Sequence, residues 1–171
     1  MSRPNFEVAV QATLDHEGGY VDHPSDPGGA TKYGISLRFL RDIGVDIDRD
    51  GDVDADDIRG LTRQQAKLLY FRQFWQKNRY GSFPSHEIAA KVFDLSVNMG
   101  PRQAHKILQR ALRACGEPIA DDGIVGPRTM AALNSAPDHC VLSAIRSEAA
   151  GFYRYLRKPE FERGWLRRAY S

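Results

Sequence analysis

Residues 6–35 read FEVAVQATLDHEGGYVDHPSDPGGATKYGI, and the stretch changes character at Gly18. Upstream, Phe6, Val10, Thr13 and Glu17 follow one another at spacings of four, three and four, which keeps side chains on one face of an α-helix. A helix that begins after Pro4-Asn5 therefore carries Glu17 at the end of a mainly apolar stripe. Gly18-Gly19 stops it, and the Gly-, Pro- and Asp-rich run from Tyr20 to Ile35 reads as a loop or short hairpin. A glutamate released from an apolar face into an open glycine-rich loop sits where burial raises its pKa while substrate still reaches it. That environment suits a general acid. Asp26 and Thr31 add a second carboxylate and a hydroxyl able to hold a water. The same residues read equally well as architecture, with Glu17 capping its helix or pairing with an arginine while the glycines turn the chain.

Outward from this stretch the period remains helical. A short helix fits residues 37–43. Thr62-x-x-Gln65 is a capping box opening a helix with Ala66, Leu69, Tyr70 and Phe74 on one side. Ser85 caps another through Ile88, Val92 and Leu95. Pro101 fits the first turn of a helix carrying Ala104, Ile107, Leu108, Ala111 and Leu112, and Pro127 starts one with Met130 and Leu133. Two more follow over about 138–156 and 161–170. The expected fold is mostly α with a small irregular or β region near residues 18–36. At 171 residues, 42% hydrophobic and 27% charged, the chain has the composition of an ordinary globular protein, which excludes disordered and collagen-like classes. No apolar run is long enough to span a bilayer, and the first twenty residues lack the pattern of a Sec signal.

The net charge of +2 conceals a sharp asymmetry. Residues 46–57, DIDRDGDVDADD, hold seven aspartates and one arginine, leaving a mildly basic remainder. Carboxylates fall at positions one, three, five, nine and twelve of this twelve-residue loop, with Gly51 at six and an aliphatic residue at eight. Calcium needs six to eight oxygens around one small sphere, and this spacing supplies them from Asp46, Asp48, Asp50, Asp54 and Asp57 and from the backbone carbonyl of Asp52. The last ligand is Asp57 where glutamate is usual, which shortens the bidentate reach. A lone loop favours a structural Ca²⁺ over a sensor. The five histidines, at 16, 23, 86, 105 and 139, have no ligand spacing, so a catalytic zinc is not expected. Cys115 and Cys140 have no metal spacing either, and free buried thiols are the preferred reading, with a disulfide as the alternative.

Two segments of the C-terminal half carry further signals. Asp121-Asp122-Gly123-Ile124-Val125-Gly126-Pro127-Arg128-Thr129 specifies a turn-to-helix junction, and a sugar site and a purely structural role stand equal. Arg146, Arg154, Arg157, Lys158, Arg163, Arg167 and Arg168 alternate with Phe152, Tyr153, Tyr155, Phe161 and Trp165. The simpler reading is an amphipathic surface with aromatics inward and arginines in water. The alternative is weak contact with an anionic wall or membrane surface. No nucleic-acid motif accompanies the charge.

The stretch LDHEGGYVDHPSDPGGATKYGIS closely resembles the opening of glycoside hydrolase family 108, N-acetylmuramidases of lysozyme-like fold, some labelled secretion activators. The resemblance extends over nearly the whole chain. Phe93-Asp94-Leu95-Ser96-Val97-Asn98-Met99-Gly100 is similar to the family's second cleft-lining helix, and residues 121–133 resemble the DG-x-x-G-P-x-T core of predicted peptidoglycan-binding domains. The resemblance implies a catalytic segment at 1–100 and a helical peptidoglycan-binding-like segment at 101–171, packed as one unit. It implies Glu17 as the catalytic acid. Asp26 and Thr31 are the candidates for activating and orienting water, and Tyr20, Tyr33 and Asn98 for lining the sugar groove. In phage-type lysozymes, which it resembles more distantly, the Asp-to-Thr spacing is one residue longer. The expected activity is hydrolysis of the β-1,4 bond between N-acetylmuramic acid and N-acetylglucosamine in peptidoglycan glycan strands. The expected protein is a monomer, made in the cytoplasm and acting on the periplasmic wall after holin-type release or other non-Sec export. Two rivals remain, a non-catalytic wall-binding module and a calcium-dependent protein associated with secretion.

Overall fold

The computed structural model describes residues 5–16, 20 and 29–171, and the chain clusters into two compact units. Helix α1, Phe6–His16, belongs to both, since the units divide at Ala9 and Val10. On it Ala9, Val10, Thr13 and Leu14 are buried and Phe6 is half-buried, so of the expected stripe Val10 and Thr13 lie inside, while Glu17 is outside the described residues.

The unit made of residues 10–73 is built from local signals. Strands β1 (Thr31–Lys32) and β2 (Ile35–Ser36) pair antiparallel, Thr31 opposite Ser36 and Lys32 opposite Ile35. Tyr33 and Gly34 connect them with φ of +52° and +73°. Two consecutive left-handed residues make the turn whose twist matches a tight hairpin. Ser36 then caps α2 (Leu37–Ile43) by accepting the Phe39 N–H at 3.2 Å, and Gly44 ends it in the left-handed conformation. Helix α3 (Ala55–Gly60) opens with a capping box between Asp54 and Asp57, and α4 (Arg63–Tyr70) with the expected box between Thr62 and Gln65. Ile35, Leu40, Ile58, Leu61, Ala66 and Tyr70 form the core.

Past α4 the chain runs through a π-helical turn, Phe71–Gln76. A wider turn shifts which side chain points inward. The α-helical period places Phe74 on the buried face, but Phe74 is half-buried and Trp75 takes the core position at 5% exposure.

The second unit, residues 1–9 with 74–171, is helical. It contains α5 (His86–Met99), α6 (Pro101–Ala114), α7 (Pro127–Ser135), α8 (Asp138–Tyr155) and α9 (Pro159–Tyr170). Ile88, Val92, Phe93, Leu95, Ile107, Leu108, Ala111, Leu112, Val141, Ile145 and Ala149 fill its centre without exposure. Phe6, Trp75, Tyr80, Phe83 and Phe93 add an edge-to-face aromatic cluster with centroids 5.5 to 6.4 Å apart. Trp165 of α9 stacks on Tyr153 of α8 at 5.3 Å, and Lys91 of α5 donates to the Arg168 carbonyl in the last turn of α9. Of the C-terminal basic residues, Arg168 pairs with Asp94 at 3.7 Å and Arg146 donates to the Ser171 carbonyl at 3.2 Å, whereas Tyr155, Phe161 and Tyr170 are exposed. Among the described residues no helix is long and apolar enough to cross a membrane.

The cysteines correct the sequence reading. Cys115 and Cys140 are not free thiols but a disulfide, with Cα atoms 6.1 Å apart. Cys115 caps the end of α6 and Cys140 lies in the first turn of α8, so antiparallel packing of the two helices brings the sulfurs together. Only three-dimensional proximity licenses a bridge, and a separation of 25 residues gives no sign of it.

Candidate functional site

Glu17 and Asp26 lie outside the described residues, which bring the chain to His16 at the end of α1 and resume beyond them at Gly29. The hairpin presents the next candidates. Thr31 opens β1, half-buried, its hydroxyl donating to the Gly29 carbonyl at a long 3.4 Å. Tyr33 sits at the hairpin tip, where its carbonyl accepts the buried Tyr70 hydroxyl at 2.8 Å. That bond fixes the tip to α4. Lys32 reaches α3, donating to the Arg59 carbonyl at 2.5 Å, with its ammonium 5.7 Å from the Tyr33 ring centre. The Arg59 guanidinium lies 5.6 Å from the centre of the Tyr20 ring and pairs with Asp56, which raises its pKa. Tyr20, Thr31 and Tyr33 therefore share a unit with two cations that sequence reasoning did not single out. Arg59 carries no local signal, since its link to Lys32 spans 27 residues. Asn98 belongs to the other unit, exposed in the last turn of α5, where its amide oxygen accepts the Tyr153 hydroxyl at 2.7 Å.

The acidic loop is ordered by its own backbone. Asp46 accepts the N–H groups of Arg49 at 2.5 Å and Gly51 at 3.0 Å, and Gly51, at φ +107°, makes the turn assigned to it. Asp57 is 1% exposed and accepts from Ile47 at 2.5 Å, Asp48 at 3.4 Å and Asp54 at 2.7 Å. Burial pushes its pKa up, but these donors prevail and hold it below the ordinary carboxylate value. Asp48 is shifted upward by partial desolvation and the charges of Asp50, Asp57 and Asp46. Asp52 is shifted upward first by Asp50. Ligand oxygens of Asp46, Asp48 and Asp50 lie within 4.8 Å of one another, as do those of Asp52, Asp54 and Asp57. Two trios of clustered carboxylate oxygens, the second anchored by buried Asp57, make a donor set of the all-oxygen kind that a hard divalent cation takes.

The glycine motif of the C-terminal half is explained by packing. Gln109 of α6, 2% exposed, donates to the Asp122 carboxylate at 2.8 Å, the Ile124 carbonyl at 3.0 Å and the Thr129 hydroxyl at 3.3 Å, and accepts from the Gly123 N–H at 2.7 Å. Asp121 is paired with Arg110 at 2.6 Å. A Cβ at Gly123, whose φ is +79°, would stand 2.8 Å from Arg102 Cγ and 2.9 Å from its carbonyl oxygen. The Gly123 carbonyl also accepts from His105 Nδ1 at 3.2 Å, so the neutral ring carries its proton there and its Nε2 accepts the Tyr80 hydroxyl at 2.9 Å. Burial lowers the His105 pKa and supports that neutral form. The motif's polar groups are thus engaged in building the junction.

Comparison with known proteins places these features. The glycosyl hydrolase 108 profile matches residues 10–100, more than half of the chain. The chain belongs to the glycosyl hydrolase 108 family. A second profile, described as Predicted Peptidoglycan domain, matches residues 103–170 of this family 108 chain. The structure of Brucella abortus SagA is similar with a TM-score of 0.77 at 27% identity, over 96% of this chain and 88% of SagA. No curated protein matches. The family 108 chain accordingly has a mostly α, lysozyme-like fold, as expected, and belongs to a family of peptidoglycan-acting glycoside hydrolases. The two profiles meet between residues 100 and 103, whereas the compact units divide between Gln73 and Phe74, so α5 packs in the unit that holds α6 to α9.

Proposed function

We propose that this chain is an N-acetylmuramidase that hydrolyses the β-1,4 bond between N-acetylmuramic acid and N-acetylglucosamine. The observation that carries the reading is the family 108 match, which spans Glu17, Asp26, Thr31 and Asn98. Protonated Glu17 donates to the glycosidic oxygen as the bond breaks, and Asp26 activates water or stabilises the oxocarbenium-like state. Thr31 orients the water. Tyr20 and Tyr33 offer rings to the sugars, with Lys32 and Arg59 beside them, and Asn98 contributes an amide. The acidic loop holds one structural Ca²⁺ through Asp46, Asp48, Asp50, Asp54, Asp57 and the Asp52 carbonyl. Bound calcium neutralises the crowded carboxylates and cross-links the loop. The protein acts as a monomer on the periplasmic wall after leaving the cytoplasm by holin-type release or another non-Sec route, and the Cys115–Cys140 bridge supports an oxidising destination. Any contact of the basic C-terminal segment with anionic surfaces is weak.

Mass spectrometry of purified sacculi after digestion tests this. New reducing N-acetylmuramic acid ends, lost in Glu17→Gln, are expected. A 1,6-anhydro product would mean a transglycosylase. Sacculi left intact by the wild-type protein yet binding it would favour the non-catalytic wall-binding reading, which the match over residues 103–170 suggests.

A further inference from the structure

The glycine motif spends its polar groups on its own fold, and a second surface of the same unit stands open. A groove of about 510 Å³ runs between α6 and α8, lined by Gln103 and Arg110 on one wall and by Ser147, Glu148, Gly151, Phe152 and Tyr155 on the other. Gln103 and Arg110 are seven residues apart, and Ser147, Gly151 and Tyr155 four apart, so each set follows one helix face. From Ser147 to Tyr155 the helix rises about 12 Å, room for two linked pyranose rings. Tyr155 is 80% exposed, an aromatic that packing does not explain.

Gly151 is the second observation. A glycine inside an 18-residue helix costs about 1 kcal/mol relative to alanine, and a Cβ there would meet nothing within 4 Å. No neighbour demands the glycine, but a side chain would fill the groove. Charge identifies the occupant. Arg110 and Arg113 share Asp121, so the charges of the lining itself are one cation, Arg110, and one anion, Glu148, and they balance. A lining without net charge gives an anionic stem peptide no electrostatic advantage, whereas an uncharged acetamido sugar finds amide, hydroxyl and carboxylate partners for its polar edge and a ring for its C–H face.

We propose that the α6/α8 groove is a glycan-binding subsite that holds N-acetylhexosamine units of the strand apart from the bond being cut. This rests on the peptidoglycan reading above. In the full-length Glu17→Gln protein, chitotetraose, an uncharged β-1,4 oligomer of N-acetylglucosamine, is expected to shift the backbone amide resonances of Gln103, Ser147 and Gly151. Tyr155→Ala should weaken this binding about tenfold. Gly151→Leu should abolish it and reduce co-sedimentation with sacculi while leaving the melting temperature unchanged or higher, a combination that a structural defect would not give. The proposal is overturned if those amides do not move, if Gly151→Leu binds like its parent, or if free stem peptide moves them and chitotetraose does not. Groove variants with Glu17 intact that bind and digest sacculi like wild type would sink the groove and leave the muramidase standing. A wild-type protein that generates no reducing ends would sink the muramidase, with the groove still judged by sacculus binding.

Discussion

Reducing the Cys115–Cys140 bridge opens a loop closed across 25 residues, which contains the glycine junction and all of α7. In the chain-entropy treatment that loop length corresponds to about 12 cal/mol/K removed from the unfolded ensemble, or about 3.5 kcal/mol of stability at 25 °C. For a chain of this size each kcal/mol moves the melting temperature by about 2–4 °C, so reduction should lower it by about 7–14 °C. Calorimetry of wild type with and without a non-thiol reductant, beside the Cys115→Ala/Cys140→Ala protein, reads the effect. The reduced wild type and the double variant should nearly coincide, and the double variant should no longer respond to reductant. Two titratable thiols in protein prepared without reductant would refute the pairing. A melting temperature unchanged after complete reduction would refute the reasoning that assigns the bridge its stabilising role.

Gln109→Leu should cost about 3 kcal/mol in urea denaturation, because it strands the Gly123 N–H in the interior and removes the Asp122, Ile124 and Thr129 contacts together. Chelation should lower the thermal midpoint and excess Ca²⁺ restore it, with about 2.7 kcal/mol expected at a hundredfold excess over Kd, and a calcium-independent melt would remove the metal from the loop. Lys91, 7% exposed, has its pKa lowered by burial to about 8, so between about pH 8 and 10.5 the unfolded chain holds more protons and stability rises with pH. Lys91→Met should flatten that rise and stabilise the protein at pH 7 by about 1–2 kcal/mol, less than the full desolvation cost because the Arg168 carbonyl loses its donor.

Signals confined to one turn of chain were legible. The Thr62–Gln65 box, Pro101 and Pro127 at helix starts, and the 37–43 helix all appear where local chemistry puts them. Ser85 does occupy an N-cap position, but its side chain makes no capping bond and is buried, since the fold uses it for packing. On α7 the buried face is Thr129, Ala132 and Leu133, with Met130 half-buried, because Gln109 draws Thr129 inward. The π-helical turn was invisible for a different reason. Its register change alters a period rather than a residue type, and an α-period read through it selects Phe74 in place of Trp75. The disulfide, the Lys32–Arg59 link and the Gln109 network all depend on partners at least 13 positions away, which no window of helical length connects to its target.

The Gln109 network also separates two things that a sequence motif merges. Residues 121–129 contain the pattern by which a peptidoglycan-binding segment is recognised, yet the side chains of Asp121, Asp122 and Thr129 face Arg110, Gln109 and the backbone of their own junction. A ligand drawing on those groups would have to break bonds to a residue that is 2% exposed, at a cost the sugar's hydroxyls would only exchange. The motif therefore fixes how α7 leaves α6 through polar groups already engaged within the fold. On another face of the same unit, Gly151 and Tyr155, one helical turn apart, break local rules without structural return, one a helical glycine that no neighbour requires and the other an aromatic ring left in solvent.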